Sequence, residues 1–385
     1  MINEQFNKFL IEEFFQSEEW ALMKETVEDS QWHREPDVSV HTLMVLNHYV
    51  DHFLNSRTET ENKIALLALL FHDTGKPEAE EELERADGSG KYRRYAGHES
   101  VSSHCFMEYY LKSPTLKSWL TVDEARAIRW IIEYHLPYGY KQRDKVHDLK
   151  LATELVLKKV DCTLQTFYDC LRSDANGRIS DDHATKLQNV EDWIANFDQV
   201  RTDWNQMVPK SPNQKMYILV GPSGSGKSTF TKSLGENVKV INEDQMKMDL
   251  FRSIFPEDQR NDFDIYDDAW QYCTMDHKPQ YTFYRDRTIR DIVDIAKKGA
   301  FPAVVDVVNS SKKRRAQFVS IAKQQGFEVE IVEFWVPLDV LQARQETRGD
   351  KRVPVQSVKK QYDAIQLGWV GSECYSVKVV MNHEN

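Results

Sequence analysis

Through the first half of the chain apolar residues recur at helical spacing, and chemistry-bearing residues collect where the helices stop. Phe6, Leu10, Phe14 and Phe15 predict one or two amphipathic helices over residues 1–30. A helix from Val40 to Leu54 carries His41 on its first turn. Glu61 to Phe71 is nearly all apolar, which predicts a helix buried on every side. It delivers His72-Asp73-Thr74-Gly75-Lys76 at its end, and a charged cluster there needs partners or a metal. After a charged, glycine-containing loop (Asp87 to Arg94), Gly97-His98-Glu99 opens another helix. Thr121 to Glu124 reads as a capping box for a helix ending at Tyr134-His135-Leu136-Pro137. A long helix from Lys150 runs to Ser173-Asp174, followed by Ala175 to Arg178. His41, His72-Asp73, His98, His135 and Asp174 thus arrive one per helix. Leu187, Val190, Ile194, Phe197 and Trp204 form a further stripe, and Pro209 and Pro212 then break regular structure. The expected domains are 1–208 and 215–385, joined by a linker at 209–214.

The second half alternates short apolar strands with helices. Met216–Val220 is a strand, and Gly221-Pro222-Ser223-Gly224-Ser225-Gly226-Lys227-Ser228 satisfies every position of G-x-x-x-x-G-K-[ST] before a helical run that stops at Gly235. Strand, glycine loop and helix are the context a P-loop requires. Backbone amides across Gly221, Ser223, Gly224, Ser225 and Gly226, with Lys227, Ser228 and Thr229 opening the helix, suit a triphosphate. Lys227 would reach the β- and γ-phosphates of ATP, and Ser228 would hold Mg²⁺. Further strands are expected at Val238–Asn242, Ala303–Asn309, Glu328–Val336 and Ser376–Met381. Helices are expected from Glu243, over Arg287–Lys298, from the basic Lys312–Arg315 run, and from Pro337 and Pro354. Residues 255–285, rich in Asp, Tyr and Phe and poorly periodic, are expected to form a substrate flap. The alternation predicts a parallel sheet with helices on both faces.

Composition adds bounds. A chain of 385 residues exceeds one ordinary core, and 41% hydrophobic with 29% charged residues describes a globular protein. No apolar run spans a bilayer, and the start of the chain lacks a basic signal region. Five scattered cysteines without a C-x-x-C suit a reducing, cytoplasmic setting and argue against a thiolate metal site. A formal net charge of -11 argues against tracking a long polyanion, yet allows one end of a nucleic acid to be gripped.

The residues of the first half resemble the HD superfamily of metal-dependent phosphohydrolases, an all-α bundle with the pattern H…HD…D. The H-D-x-G-K, G-H-E and D-A-x-G-R strings are most similar to the HD domains attached to tRNA nucleotidyltransferases. The resemblance implies that His41, His72, Asp73 and Asp174 bind one metal. His98 and His135 would complete a second, with Asp73 bridging. It also implies that Lys76 and Arg178 face the substrate phosphate. Imidazole and carboxylate donors suit Mn²⁺ or another transition metal. Of the other histidines, His48, His52, His104 and His147 match no pattern and are expected to be surface or packed residues.

The second half resembles the phage and bacterial 5′-hydroxyl polynucleotide kinases that heal broken RNA. Ile241-Asn-Glu-Asp244 matches that family's general base, so the resemblance implies that Asp244 takes the proton of a 5′-hydroxyl. Asp306-Val-Val-Asn309 matches its D-x-x-N string, implying acceptor contacts by Asp306 and Asn309. Arg344, Arg348 and Val353-Pro354 match its lid. Lys247 stands where the family usually has an acceptor-binding arginine, which keeps the charge and loses the bidentate fork. Read from the residues alone, Asp244 also fits a helix N-cap, and Arg344 and Arg348 a solvated face.

The pairing resembles a bifunctional RNA-repair architecture. Attack of a ribose 2′-hydroxyl on its own phosphodiester leaves a 2′,3′-cyclic phosphate and a 5′-hydroxyl. One domain would hydrolyse the first end and the other phosphorylate the second, preparing both for a separate RNA ligase. Broken RNA ends, tRNA among them, are the expected partners, with DNA ends also open. Two other readings fit the residues: a nucleotide kinase fused to a nucleotide phosphohydrolase, and an HD phosphohydrolase gated by ATP.

Overall fold

The computed structural model describes residues 2–28, 33–84, 88, 90–202, 214–262, 264–348 and 353–381. The chain divides into two compact units, Met1–Asp203 and Trp204–Asn385. Of the expected linker only Gln214 lies among the described residues, and Trp204, Pro209 and Pro212 lie outside them.

The first unit is helical: α1 (Ile2–Glu12), α2 (Glu18–Glu25), α3 (Val38–His52), α4 (Glu59–Phe71), a one-turn α5 (Lys76–Ala79), α6 (His98–Lys112), α7 (Pro114–Trp119), α8 (Val122–Glu133), α9 (Arg143–Lys158), α10 (Leu164–Asn176) and α11 (His183–Gln199). A reciprocal capping box starts α4: the Thr58 hydroxyl accepts from the Glu61 amide, and the Glu61 carboxylate accepts from the Thr58 amide. Every residue from Ile64 to Phe71 is buried, and α3, α6, α8 and α10 all pack against this helix. A helix apolar on every side has nowhere to go but the middle, and each large side chain it buries contributes about 1.5–3 kcal/mol.

Two features depart from expectation. The loop before Gly97 is a hairpin, with β1 (Glu81–Glu84) antiparallel to β2 (Lys91–Arg94). Its faces are charged rather than alternately apolar: Glu81 pairs with Arg94 at 2.6 Å and Glu82 with Lys91 at 2.5 Å, so period-two hydrophobicity could not reveal it. The long helix expected from Lys150 is two helices, because Asp161 between α9 and α10 has a left-handed φ of 56°. The break is held from α4, where Glu61 Oε1 accepts from the Thr163 hydroxyl at 2.9 Å and the Thr166 hydroxyl at 3.1 Å.

The second unit contains β3 (Lys215–Val220), α12 (Lys227–Ser233), β4 (Lys239–Ile241), α13 (Glu243–Ile254), α14 (Tyr266–Gln271), α15 (Lys278–Lys298), β5 (Ala303–Val305), α16 (Lys312–Gln325), β6 (Glu328–Trp335), α17 (Leu338–Thr347), α18 (Val355–Asp363) and β7 (Ser376–Met381). Its five strands are all parallel, in the order β4-β5-β3-β6-β7. β3 is central, and its side chains alternate between two apolar layers. Met216, Ile218 and Val220 join the layer of Ile289, Val293 and Phe318, whereas Tyr217 and Leu219 meet Phe230 and Phe334. Both faces of a parallel sheet must be covered, and here they are.

The expected flap at 255–285 is largely helical. It contains α14, a π-helical turn at Tyr272–Asp276 and the start of α15, seated through Ile265 and Ala269 on Phe251. A six-residue helix followed by a π turn is too short for any periodicity to show. Among the described residues no helix is long and apolar enough to cross a membrane.

Candidate active sites

In the first unit the helix ends converge. His41, His72, Asp73, His98, His135 and Asp174 are all buried. Asp73 lies at the centre and its two oxygens face different partners. Its Oδ2 is 3.1 Å from His72 Nε2 and 3.4 Å from His41 Nε2, and Asp174 Oδ1 lies 3.3 Å from His41 Nε2. Its Oδ1 is 3.0 Å from His98 Nε2 and 3.8 Å from His135 Nε2. Within each histidine pair the Nε2 atoms are 3.3 Å apart.

The other ring nitrogens explain this orientation. Nδ1 of His72, His98 and His135 lies 2.7 Å from the carbonyls of Leu69, Tyr95 and Ile132, and Nδ1 of His41 lies 3.0 Å from that of Gly177. A carbonyl only accepts, so each Nδ1 carries the hydrogen and each Nε2 turns its lone pair inward. Lone pairs and carboxylate oxygens this close call for positive charge among them. Burial and the neighbouring His72 and His98 hold the His135 imidazole down at about 3, so it stays a neutral donor. Burial pulls His41 down, but Asp174, Glu35 and Asp73 push it up to about 9, so its Nε2 carries a proton unless a cation takes that place. The donor set therefore fits cations: His41, His72 and Asp73 about one position, with Asp174 beside the two histidines, and Asp73, His98 and His135 about another.

Close backbone approach holds these residues together. A side chain on Gly75 would lie 2.5 Å from the Ser102 amide nitrogen and 2.6 Å from the His98 carbonyl oxygen, so only glycine lets the turn after α4 meet the start of α6. A side chain on Gly177 would lie 2.6 Å from the Val45 backbone on α3.

Lys76 and Arg178, expected to face a substrate phosphate, point at the acids of the cluster. Lys76 Nζ is buried 2.9 Å from Asp73 Oδ2 and 2.5 Å from Glu28 Oε1, and Arg178 Nη2 is 2.6 Å from Asp174 Oδ2. Buried cations need paired anions, and these carboxylates are the nearest. Burial alone would raise the Asp73 carboxyl, but His72 and Lys76 hold it well below the usual carboxylate range. Sequence reasoning missed Glu28, and also Glu35, a buried acid 3.6 Å from His41 Nδ1 that accepts from the Ile179 amide at 2.6 Å. Neither falls in a motif, and no sequence signal marks them. His104 is packed as expected, with Nδ1 2.8 Å from the Ser100 carbonyl, and His48 stacks on His52.

In the second unit the loop after β3 turns on Gly224 and Gly226, at φ of 89° and 98°, and delivers Lys227 as the first residue of α12. Lys227 Nζ donates to the carbonyls of Gly221 and Pro222, both at 2.8 Å, and burial lowers its pKa to about 8. Ser225 is fully buried inside the loop, while Ser228 and Thr229 are exposed. The lid arginines sit on the same loop. Arg344 Nη1 donates to the Gly224 carbonyl at 3.1 Å, and Arg348 Nη1 to the Ser223 hydroxyl at 2.5 Å. Two glutamines that sequence reasoning missed help hold it. Gln345 Nε2 donates to the Ser223 carbonyl at 3.1 Å, and Gln361 Oε1 accepts from the Ser223 amide at 2.8 Å. Gln345 lies between Arg344 and Arg348, whose match to the lid was the available signal.

Asp306 and Asn309 were expected among the acceptor contacts. Asp306 Oδ2 instead accepts from the Ser228 hydroxyl at 2.9 Å, which puts this acid on the Mg²⁺ side of a P-loop. Asn309 is 1% exposed, and its amide donates to the Leu219 carbonyl at 2.9 Å, so it ties β3 to the chain after β5 rather than meeting a substrate. Asp244 stands at the start of α13 with its side chain 58% exposed, 2.8 Å from Lys247 Nζ.

A family model described as an AAA domain matches residues 216–367, the stretch holding the P-loop, the lid helices and every strand of the sheet but β7. A gluconokinase from Sinorhizobium meliloti 1021 is similar at 15% identity over 46% of this chain and 86% of its own, with a TM-score of 0.27, a likeness too slight to support any inference. The chain is thus a helical unit followed by a parallel-sheet P-loop domain.

Proposed function

We propose that the chain heals broken RNA ends. The P-loop unit phosphorylates a 5′-hydroxyl with ATP, and the helical unit removes a 3′-phosphate or opens and removes a 2′,3′-cyclic phosphate. One observation supports this above others: Asp73 presents its two oxygens to two histidine pairs in one unit, while a P-loop and an exposed carboxylate, Asp244, stand in the other.

In the kinase, Lys227, Arg344 and Arg348 stabilise charge on the transferring phosphoryl group, and Ser228 and Asp306 would hold Mg²⁺. Asp244 orients the 5′-hydroxyl and takes its proton, and Lys247 holds that carboxylate in place. In the hydrolase, His41, His72, Asp73 and Asp174 would hold one divalent cation, and His98 and His135 with Asp73 a second. Such cations, when bound, supply Lewis acidity and a nucleophile at neutral pH. Lys76 and Arg178 keep Asp73 and Asp174 ionised and fixed. The products, a 3′-hydroxyl and a 5′-phosphate, are the ends an RNA ligase joins.

The test offers a 5′-hydroxyl, 3′-phosphate oligoribonucleotide, and its 2′,3′-cyclic counterpart, with ATP and divalent metal, and maps both ends. Conversion of both ends is expected. Phosphorylation of free nucleosides or sugars with untouched oligonucleotide ends would replace this reading with a small-molecule one.

A further inference from the structure

Ser223, expected among the residues whose amides suit a triphosphate, gives its amide, its carbonyl and its hydroxyl to the lid. The amide donates to Gln361 Oε1 on α18 at 2.8 Å, the carbonyl accepts from Gln345 Nε2 on α17 at 3.1 Å, and the hydroxyl accepts from Arg348 Nη1 at 2.5 Å. Gln345 makes the closest of these joints. It is fully buried, and a side chain on Gly224 would lie 2.6 Å from its Nε2, so the loop and α17 meet with no room between them. Its Nε2 also donates to the Leu341 carbonyl at 3.3 Å, and its Oε1 accepts from the Val353 amide at 3.2 Å. Carbonyls only accept and backbone amides only donate, so these partners fix which way the carboxamide faces. Shifting α17 along the loop would leave buried polar atoms without partners, which is costly. Arg344 precedes Gln345, with Nη1 on the Gly224 carbonyl at 3.1 Å, and Arg348 follows it within one turn.

We infer that Ser223 is the docking point of the lid rather than a phosphate ligand, and that Gln345 is the positioning residue that sets Arg344 and Arg348 against the phosphate loop. This rests on the reading of the second unit as a kinase whose two arginines stabilise charge on the transferring phosphoryl group. A guanidinium carries five N–H groups, so one bond to Ser223 aims Arg348 and leaves it donors for a phosphate. Donors set in place beforehand need no reorganisation at the moment of reaction, which is where they act most strongly. The loop and the lid therefore work as one piece, registered through a single serine.

The experiment measures phosphorylation of a 5′-hydroxyl oligoribonucleotide at saturating ATP, with ATP binding measured alongside. Ser223→Ala removes only the hydroxyl and keeps the loop amide. It should lower kcat about tenfold or more, the scale of a hydrogen bond to a charged group, with the ATP dissociation constant held within about twofold. In an Arg348→Ala background the same substitution should cost about threefold or less, because the group it acts through is gone. Gln345→Met keeps the side chain's length and removes its hydrogen bonds. It should lower kcat about ten- to a hundredfold, and far less where Arg344 and Arg348 are both replaced by alanine. Ser223→Ala leaves the core untouched, so it decides the matter even where Gln345→Met fails to fold. An unchanged kcat in Ser223→Ala, or a weakened ATP affinity with kcat held, overturns the docking assignment while the kinase reading stands. Equal losses with and without the arginines mean that these residues only support the fold, and overturn it too. Wild-type protein that leaves the oligonucleotide unphosphorylated overturns the kinase reading, and this inference with it.

Discussion

The side chain of Asn242 accepts a hydrogen bond from the backbone amide of Asp244, 3.0 Å away, and a second from Gln245 at the same distance. Asn242 is therefore the cap of α13, and the Asp244 carboxylate has no part in it. One helical residue, Glu243, separates the two, so the acid already lies inside the first turn. Asp244→Asn should leave the helix and ATP affinity intact and slow phosphoryl transfer about a hundred- to ten-thousand-fold, the usual effect of losing a general base. Single-turnover transfer to a 5′-hydroxyl RNA, with ATP binding measured alongside, checks this. Near-wild-type transfer would remove the main reason for choosing a polynucleotide acceptor.

The two chemistries should separate. Lys227→Ala is expected to abolish 5′ phosphorylation while 3′-phosphate release continues, and Asp73→Ala to do the reverse. Each variant is first shown to be folded by circular dichroism. Loss of both activities in either folded variant contradicts two independent sites.

Metal dependence should differ between the ends. Imidazole nitrogens favour Mn²⁺ or another transition metal, whereas the P-loop serine and Asp306 offer oxygen and suit Mg²⁺. Phosphate release should therefore fall on chelation and return with Mn²⁺, and purified protein should contain transition metal by elemental analysis. Full phosphate release in Mg²⁺ alone, from protein free of transition metal, counts against the assignment.

Gly75 supplies a test of packing. A methyl group there meets Ser102 and His98 backbone at 2.5 and 2.6 Å, so Gly75→Ala should destabilise the first unit by about 1–3 kcal/mol or more and reduce its phosphatase activity. Gly139 has nothing within 4 Å of the same position, and Gly139→Ala should stay within about 0.5 kcal/mol. Denaturant unfolding of both variants, read beside kinase activity, distinguishes local packing from general damage.

What the sequence made legible was whatever repeats on the scale of one helix or one loop. The apolar run of α4 announced its burial, the capping box at Thr121 had the spacing of its kind, and the P-loop followed its strand. Less legible was anything decided by another element. The β1–β2 hairpin depends on cross-strand ion pairs, and the break at Asp161 is braced by Glu61 on a distant helix. Asn309 looked like an acceptor contact because its string matched; only β3 beside it shows that its amide serves the Leu219 carbonyl. Glu28 reaches Lys76 from 48 residues away, a pairing that no local pattern encodes.

His72, His98 and His135 share one local device: each Nδ1 meets the carbonyl of the residue three positions earlier, at Leu69, Tyr95 and Ile132. Each ring direction is thus inherited from its own short turn and is set as soon as that turn forms. An ion bound there would find rings that have already lost their rotameric freedom, which would spare an ordering cost of about 0.5–1.5 kcal/mol per side chain. Rings held in this way also keep a gap of fixed width. Ionic radius would then become a criterion of admission, applied by main-chain geometry before any side chain moves.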